Sequence, residues 1–462
     1  MLPFFDFIKG VLRRVVSKER LKNIFDTDII SGSEMERAQE LWRSIINGTP
    51  DWSGRDDVET IGFAVFLCSD IAKKVCLDIG ISAEGSQRAE FLQSAADGLL
   101  SVIRDKVQEA CSCGGILMKP NGSHDPEDCI DYVTEFYVTK CNSNGDILGV
   151  IIPDCFVEGD VYYTRLEYHR FSDDGRYLIS NRAFRSRSKG ELGRETELSS
   201  VARWAHISPE LPPIENVDRP LFAYFKMPYH NTIDASSPLG VPVFYNAVKE
   251  LKDLDIAWSR KSGEVEDSKH VTFLPQFLVQ NAKQRKLRLP RFVMGADVGK
   301  LTEGAVHEHV ATLLTEQRIA DINSILSMIS TKCGFSQGQF VLDRKTGAVT
   351  ATQIESDDRE TIETIKEMRD SLKTAVDGLL YALSKYADLY DLAPVGEYET
   401  SYSFGDLTYN YEEDRARHWQ YVQSGKYPLW RYFAKFEGMS EEEAKRVAEE
   451  AKSENSGRGL FD

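Results

Sequence analysis

The sequence predicts an α+β protein in which helices and antiparallel strands occupy separate stretches of the chain. Apolar residues follow helical spacing over residues 21–110 and again after residue 236. Between these stretches, residues 115–227 alternate apolar and polar side chains and are rich in β-branched and aromatic residues, which is typical of strands. Strands do not alternate with crossover helices, so a doubly wound parallel sheet is not expected.

Composition and charge limit the classes of protein that the chain can represent. Its 462 residues are enough for several structural regions, and 42% hydrophobic with 28% charged residues is ordinary for a globular protein. A net charge of −17 argues against a surface that grips nucleic acid by its phosphates, because such surfaces are basic. A conduit past which DNA slides would instead benefit from an acidic total.

The eight cysteines lack the spacing of a disulfide framework or a metal site. Cys111 and Cys113 form one close pair, but a second close pair of Cys or His is missing. We interpret the cysteines as buried free thiols, and we expect no metal and no other cofactor. The apolar and basic residues 1–16 are too short to span a bilayer. They are interpreted as an amphipathic helix that docks on a partner or a neighbouring subunit.

The elements of the first half follow from local patterns. A serine cap opens a helix that ends at the NGTP turn of residues 47–50, and two further helices are predicted over residues 60–78 and 86–110. An antiparallel meander follows, with turns at residues 142–145 and 172–175. Its strands are predicted over residues 132–139, 147–152, 161–171 and 177–184.

Two helices of similar length are then predicted to bracket a small basic insert. The first begins at Ser236, with a serine cap and an early proline, and runs to about residue 268; the second spans residues 307–332. Residues 269–306 between them alternate like strands and are basic in an acidic chain. The insert's basic residues include Lys283, Arg285, Lys286, Arg288 and Arg291. Such a hairpin buries little surface alone, so closure by identical neighbours is a natural solution.

The longest helical pattern, residues 350–390, follows a polar turn. Two overlapping capping boxes open it, Thr350 with Gln353 and Thr352 with Glu355. At a rise of about 1.5 Å per residue it would span roughly 60 Å, which suits a strut in a larger structure. The preceding turn carries Asp343, Arg344, Lys345 and Thr346. A strand over residues 397–409 and a helical region over residues 412–452 complete the chain.

Phosphate-binding glycine loops and the HExxH zinc motif are missing from the sequence. His307 and His309 lie two residues apart on a predicted helix, where they point in different directions, so a shared metal is not expected. The alternative that stays open is a metal-dependent nuclease built on the β region, with Glu167, Asp173 and Asp174 as its acids.

With its parts in this order, the chain resembles the portal proteins of tailed double-stranded DNA bacteriophages, of the type found in long-tailed phages of Gram-positive hosts. The similarity covers nearly the whole chain and rests on the order and spacing of short motifs. These are SGSEM and NGTPDW in residues 31–52, SPLGVPVFYNAV and LDIA in residues 237–257, KCGFSQ in residues 332–337, TATQIE in residues 350–355, and EGMSEEE with VAEE in residues 437–450.

The resemblance implies a portal fold with named regions. These are a wing (residues 1–235, helical to about 114 and antiparallel β over 115–235), a first stem helix (236–268), a clip (269–306), a second stem helix (307–332), a tunnel loop (333–349), a long wing helix with a strand (350–410), and a helical crown with a tail (411–462). It also implies that residues 343–346 face DNA and that the basic residues of the clip dock other proteins. An alternative for Lys283–Arg291 is pairing with acids on neighbouring subunits or docking partners.

The implied function is structural. Twelve subunits would form a ring at one capsid vertex, pass double-stranded DNA during packaging and ejection, and contact the major capsid protein, the large terminase subunit and head–tail connector proteins. The expected location is the virion, with the host cytoplasm during assembly, and neither enzymatic activity nor a membrane is expected. Besides the nuclease, a structural capsid or scaffold component without a channel remains an alternative.

Overall fold

The structure, a computed structural model, describes residues 16–30, 32–55, 57–267, 271–275, 293–296, 307–309, 314–342, 359–407, 411–424 and 426–457. The chain divides into two compact units, Met1–Phe404 and Gly405–Asp462. The described residues combine helices with mainly antiparallel sheets, so the α+β prediction is confirmed. No helix in this part of the chain is long and apolar enough to cross a membrane.

Ten α-helices and thirteen strands lie within the described residues. The helices are α1 (Lys18–Phe25), α2 (Ser33–Ile46), α3 (Phe63–Val75), α4 (Gln87–Cys113), α5 (Val248–Asp267), α6 (Thr315–Lys332), α7 (Arg359–Leu389), α8 (Tyr411–Gln423), α9 (Leu429–Phe436) and α10 (Glu441–Gly457). The strands are β1 (Gly80–Gly85), β2 (Gly115–Pro120), β3 (Ile130–Val133), β4 (Tyr137–Cys141), β5 (Ile147–Glu158), β6 (Val161–Phe171), β7 (Tyr177–Ser186), β8 (Arg194–Thr196), β9 (Ala223–Lys226), β10 (Val271–Pro275), β11 (Val293–Ala296), β12 (His307–His309) and β13 (Tyr398–Ser403).

The predicted meander is present as a five-stranded antiparallel sheet in the order β4-β5-β6-β7-β8. Successive residues of a strand point to opposite faces, and in β6 the two faces have different surroundings. Leu166 and Tyr168 lie on one face, in a buried cluster with Leu21 of α1. Arg165, Glu167 and His169 lie on the other. The sheet is therefore covered on both faces, with apolar packing on one and charged groups on the other.

The single strand predicted over residues 132–139 is two strands in different sheets. β3 pairs with β2, which also pairs with β9, whereas β4 joins the meander. Between β3 and β4 the carboxylate of Glu135 is buried and accepts a hydrogen bond from Arg43 of α2. Burying this carboxylate requires a partner, so the contact holds the chain out of a regular strand at this point.

The first helix of the predicted hairpin begins later than expected. Residues 237–244 are not helical, and a short 3-10 turn at Tyr245–Ala247 leads into α5. Asp234 accepts hydrogen bonds from the backbone and hydroxyl of Ser236, so the serine belongs to a turn and does not cap a helix. Pro242 would also interrupt a helix that began at Ser236.

Residues 237–244 instead pack against the C-terminal end of α4. The backbone of Val243 donates to Cys111 O at 3.0 Å. At Gly114, where φ is 95°, an added Cβ would lie 2.4 Å from Gly240 O. Glycine is needed at residue 114 both for the left-handed backbone and for the close approach of the segment around Gly240.

The second helix of the hairpin also begins later than predicted. Residues 307–309 form β12, which pairs antiparallel with β10, and α6 starts at Thr315. Pairing with a distant strand overrides the local helical pattern at this position. His307 and His309 therefore lie in a strand, so the prediction that they diverge on a helix is wrong.

Helix α7 is described over 31 residues, which corresponds to about 46 Å. One side of it is buried along almost its whole length, as the spacing of apolar residues predicted. The proposed capping boxes at residues 350–355 lie outside the described residues, as does the predicted N-terminal docking helix. In the second unit, the region predicted to be helical over residues 412–452 consists of α8, α9 and α10, with breaks at Pro428 and Gly438.

Candidate functional site: a helix pair and its loop anchors

Every residue that the resemblance assigned to DNA or to docking proteins lies outside the described residues. This holds for the predicted DNA-facing residues Asp343, Arg344, Lys345 and Thr346, and for the basic residues Lys283, Arg285, Lys286, Arg288 and Arg291 of the insert. The structure does describe the elements that hold these two segments at their ends. The site is therefore built from those elements.

Helices α5 and α6 form an antiparallel pair joined by an ion pair near each end. Glu250 at the start of α5 contacts Lys332 at the end of α6 at 2.7 Å, and Glu264 contacts Arg318 at 2.9 Å. Glu264 follows Glu250 by 14 residues, and Lys332 follows Arg318 by 14 residues. At equal rise both distances are about 21 Å, so the two helices run side by side in register.

The ion pair at the far end also ties down the start of α6. The hydrogen bond from Arg318 holds the pKa of Glu264 below its ordinary value. Glu264 Oε1 additionally accepts the backbone N–H of Leu314 at 3.4 Å, one of the donors left unpaired before a helix begins. The side chain of Glu264 thus caps α6 as well as pairing with it.

Helix α5 is fixed to the N-terminal part of the chain through a buried carboxylate. Asp255 is 4% exposed and accepts hydrogen bonds from Trp52 Nε1 at 2.9 Å and from the backbone of Ile61 at 3.0 Å. One helical turn further on, Ser259 exchanges hydrogen bonds with the backbone of Glu59. Since buried carboxylates need such partners, these contacts set the orientation of the helix pair in the first unit.

A small three-stranded sheet lies where α5 ends and α6 begins. β10 is central, parallel to β11 and antiparallel to β12, and it follows α5 by only a few residues. β12 precedes α6 in the same way. The predicted basic residues 283–291 come between β10 and β11 in the sequence and lie outside the described residues.

The opposite end of the pair leads to the anchors of the predicted DNA-facing loop. After α6, Ser336 and Thr361 of α7 exchange three buried hydrogen bonds of 3.0–3.4 Å. Thr364 Oγ1 donates to Gly334 O at 2.5 Å. Further along, the backbone of Leu342 donates to Asn323 of α6 at 2.8 Å. Leu342, the last described residue before residues 343–358, is therefore held on α6, and α7, which follows them, is held to residues 334–336.

Two buried arginines that the sequence analysis did not single out hold α7 in place. Arg369 donates to the carbonyl oxygens of Val75 at 3.1 Å and Lys74 at 2.8 Å, so it caps the C-terminal end of α3. Arg88 of α4, 1% exposed, binds the C-terminal end of α7. An arginine in a helix is usually exposed, and nothing in the local sequence distinguishes these two.

The acids of the nuclease alternative do not converge. Asp174 belongs to the turn after β6, where hydrogen bonds from Arg176 and Ser172 lower its pKa to about 2. Glu167 lies within β6, four residues before the strand ends at Phe171, and is paired with Lys119 and Arg165. Within the described residues no group of three His, Cys, Asp or Glu is arranged to hold a metal ion.

The cysteines of the described chain are free thiols, and half-burial or full burial raises the pKa of most of them. Burial raises the pKa of Cys333, next to the loop anchors, to about 12, and that of Cys76 to about 11. Such thiols stay protonated and are poor nucleophiles.

Comparison with known proteins gives no relative: no protein-family model matches the chain, and no curated protein matches it significantly.

Proposed function

We propose that the chain is the subunit of a portal ring of a tailed double-stranded DNA bacteriophage. The observation that carries the proposal is the antiparallel pair of α5 and α6 within an α+β body. A small sheet lies at one end of this pair, and beyond the other end the chain is fixed to α7 by hydrogen bonds between Ser336 and Thr361. Two antiparallel helices of similar length, with further chain segments held at both ends, suit the wall of a channel.

In this proposal the regions implied by the resemblance take the bounds of the described elements. α5 and α6 are the stem helices, and the sheet of β10, β11 and β12 belongs to the clip. The segment after Leu342 is the tunnel loop, α7 is the long wing helix, and α8–α10 form the crown. The clip would dock the packaging motor and the head–tail connectors, and the wing would contact the capsid protein.

The exposed charges of the helix pair favour side-by-side repetition. Among the residues whose burial is described, up to Val265 in α5, the exposed charged residues of α5 are mainly basic and those of α6 are acidic: Lys249, Lys252, Asp253 and Arg260 on α5, and Glu316 and Asp321 on α6. A head-to-tail contact between α5 of one subunit and α6 of the next would bring opposite charges together. Contacts of this kind generate closed rings when the rotation closes.

The register of the pair indicates which charges would meet. Because Glu264 is level with Arg318, Arg260 is level with residue 322, one position from Asp321. In a ring whose axis runs along the pair, Arg260 of one subunit would face Asp321 of its neighbour. Both residues are exposed in the single subunit and are therefore available for such a contact.

Charge exchange at these two positions tests the ring. We expect Arg260→Asp and Asp321→Arg each to reduce the assembled fraction in sedimentation velocity and native mass spectrometry, and the double variant to restore it. Arg187→Asp makes the same charge change at an exposed position outside the helix pair and serves as control. A purified protein that stays monomeric under all conditions contradicts the proposal, since the resemblance implies a closed dodecamer.

The channel role is tested separately at the predicted tunnel loop. Reversing the charge of Arg344 and Lys345 is expected to alter DNA packaging or retention while ring assembly stays intact. Loss of assembly in these variants would instead place the two residues at a subunit contact. Assembly into particles without a central channel would favour the scaffold alternative.

A further inference from the structure

Helix α3 begins with six consecutive apolar residues, FAVFLC at positions 63–68. Such a run is apolar on every side of the helix, and helices of this kind are normally buried all round. In α3 one side of the run is buried, where Ala64 and Leu67 belong to the core. Val65 and Phe66 are exposed, Phe66 to 53%. Within the described chain, the start of α3 therefore leaves a hydrophobic surface uncovered.

Residues from two other segments extend this surface. The ring centroid of Phe340, which follows α6, lies 5.7 Å from that of Phe63 and 6.2 Å from that of Phe66. Leu342, two residues further on, is 47% exposed, and Ile61, just before α3, is exposed as well. All of these residues belong to the first unit. We call this surface the phenylalanine patch; it consists of Ile61, Phe63, Val65, Phe66, Phe340 and Leu342.

The backbone that carries the phenylalanine patch is anchored on the helix pair. The backbone N–H of Ile61 donates to Asp255 of α5 at 3.0 Å, and that of Leu342 donates to Asn323 of α6 at 2.8 Å. The patch is therefore held by α5 at one edge and by α6 at the other. A contiguous apolar surface of this kind, exposed on a fixed backbone, is typical of a docking surface.

Acids outnumber bases in the segment that leads into the phenylalanine patch. Over residues 51–60 the exposed charged residues are Asp51, Arg55, Asp57 and Glu59. Lys252 of α5, which lies 6.0 Å from the ring centroid of Trp52, adds one further base. The patch and its edge therefore favour an occupant that combines a large apolar surface with a positive charge.

Residues 1–15, which lie outside the described residues, have this composition. Five large apolar side chains recur at the spacing of one helix face: Phe4, Phe7, Ile8, Val11 and Val15. The charged residues fall on the opposite side of the same helical projection, and three bases outnumber one acid among them: Asp6, Lys9, Arg13 and Arg14. The next residue, Val16, is buried in the cluster that contains Leu21, so the segment is tethered to the first unit.

Residues 343–358, which directly follow Leu342, do not match the phenylalanine patch. Their large apolar residues are limited to Val349 and Ile354. Four acids outnumber two bases in this segment: Asp343, Glu355, Asp357 and Asp358 against Arg344 and Lys345. The segment therefore has little apolar surface to offer, and its charge has the same sign as the edge of the patch.

We propose that the phenylalanine patch is the docking surface for residues 1–15 of this chain. The apolar side of the segment packs on Phe66 and Leu342, and its basic residues lie towards the acids of residues 51–59. Docking ties the N-terminal segment to the pair of α5 and α6. The proposal is independent of the ring, because the contact proposed between Arg260 and Asp321 uses no residue of the patch.

Photo-cross-linking of the full chain tests which segment covers the patch. Phe66→p-benzoylphenylalanine places a reactive ketone at an exposed position of the patch, and mass spectrometry of the digested product identifies its partner. Cross-links to residues 1–15, within one copy or between copies, are the expected result. The matched control carries the same probe at Tyr390, another exposed aromatic residue of the first unit, and should not reach residues 1–15. Cross-links from position 66 to any other segment, residues 343–358 included, or to none, overturn the proposal.

Hydrogen exchange tests the same contact without a probe. Phe66→Asp places a charge in the patch at an exposed position, so the amides of residues 1–15 should exchange at least about tenfold faster than in the wild type. Leu77→Asp makes a matched change at an exposed leucine just beyond the other end of α3 and should leave their exchange unchanged. Equal exchange of residues 1–15 in the wild type and in Phe66→Asp contradicts the assignment to this patch.

Discussion

Arg88 offers the most direct test of how α7 is held. Its guanidinium donates to Pro394 O at 3.1 Å, to Ala393 O at 2.6 Å and to Ser384 O, and it contacts Asp388 at 2.7 Å. These groups lie at and just beyond the C-terminal end of α7, where carbonyl oxygens lack partners within the helix. Replacing Arg88 by methionine keeps most of the volume and removes every donor.

The cost follows from the number of acceptors left without a donor. The carbonyl oxygens of Ala393 and Pro394, beyond the end of α7, lose their donor, and a buried group left unpaired costs about 1–3 kcal/mol. Ser384 O keeps its helical partner, and Asp388 is 34% exposed, so water can replace its partner and both add little. At about 1.5 kcal/mol for each of the two carbonyls, Arg88→Met should lower the free energy of local opening by about 3 kcal/mol. This corresponds to a factor of about 100 in the opening equilibrium.

Hydrogen exchange read by mass spectrometry measures this quantity locally, which matters because a chain with two units need not unfold in one step. Amides in the last two turns of α7 should exchange about 100-fold faster in Arg88→Met. The control is Arg104→Met, which changes an exposed arginine of α4, the helix that carries Arg88. It should leave the exchange of the α7 amides unchanged. An increase of less than about fivefold would refute the role given to Arg88, because it corresponds to less than about 1 kcal/mol.

The remaining predictions concern pH and the loop anchors. The pKa values of His169 and Glu167 are both lowered in the folded chain, so the unfolded chain binds more protons as pH falls. Stability should therefore be lost below about pH 6.5 and further below about pH 4.5, the ordinary values of the two groups, and Glu167→Gln should flatten the lower part of the profile in urea titrations. Thr361→Val leaves Ser336 without its buried partner, which should cost about 1–3 kcal/mol and speed limited proteolysis after residue 336, whereas Thr374→Val on the exposed side of α7 should not.

Elements with strong local patterns could be predicted from the sequence. β6 alternates polar and apolar residues between Arg165 and His169, and the structure places Leu166 and Tyr168 on the opposite face from Glu167, as the alternation requires. The buried side of α7 follows the same logic at helical spacing. In both elements the spacing of residues close in sequence is enough to predict which side is buried.

Elements that depend on distant partners could not be predicted. β1 reads GISAEG, with little strand propensity, and forms because β13 pairs with it over six residues more than 300 positions later. The start of α5 was placed too early because the serine at 236 resembles a cap, whereas its hydroxyl belongs to Asp234. Arg88 likewise resembles a surface residue until the end of α7 is folded against it.

In the candidate site, too, the features set by local sequence could be predicted and those set by distant contacts could not. A hairpin of two helices around a small insert could be predicted from periodicity; both helices and two strands of the insert are present, whereas β12 occupies the predicted start of the second helix. The ion pairs that set their register join residues 54 to 82 positions apart and carry no local signal. The assignment of individual side chains to DNA or to docking proteins stays a prediction.

The measurement that tests the central claim most directly is electron microscopy of the purified protein. Class averages along the symmetry axis are expected to show a closed ring with a central hole wide enough to admit duplex DNA, and the Arg260→Asp variant should lose these rings. Monomers, dimers or solid particles without a hole would contradict the portal assignment.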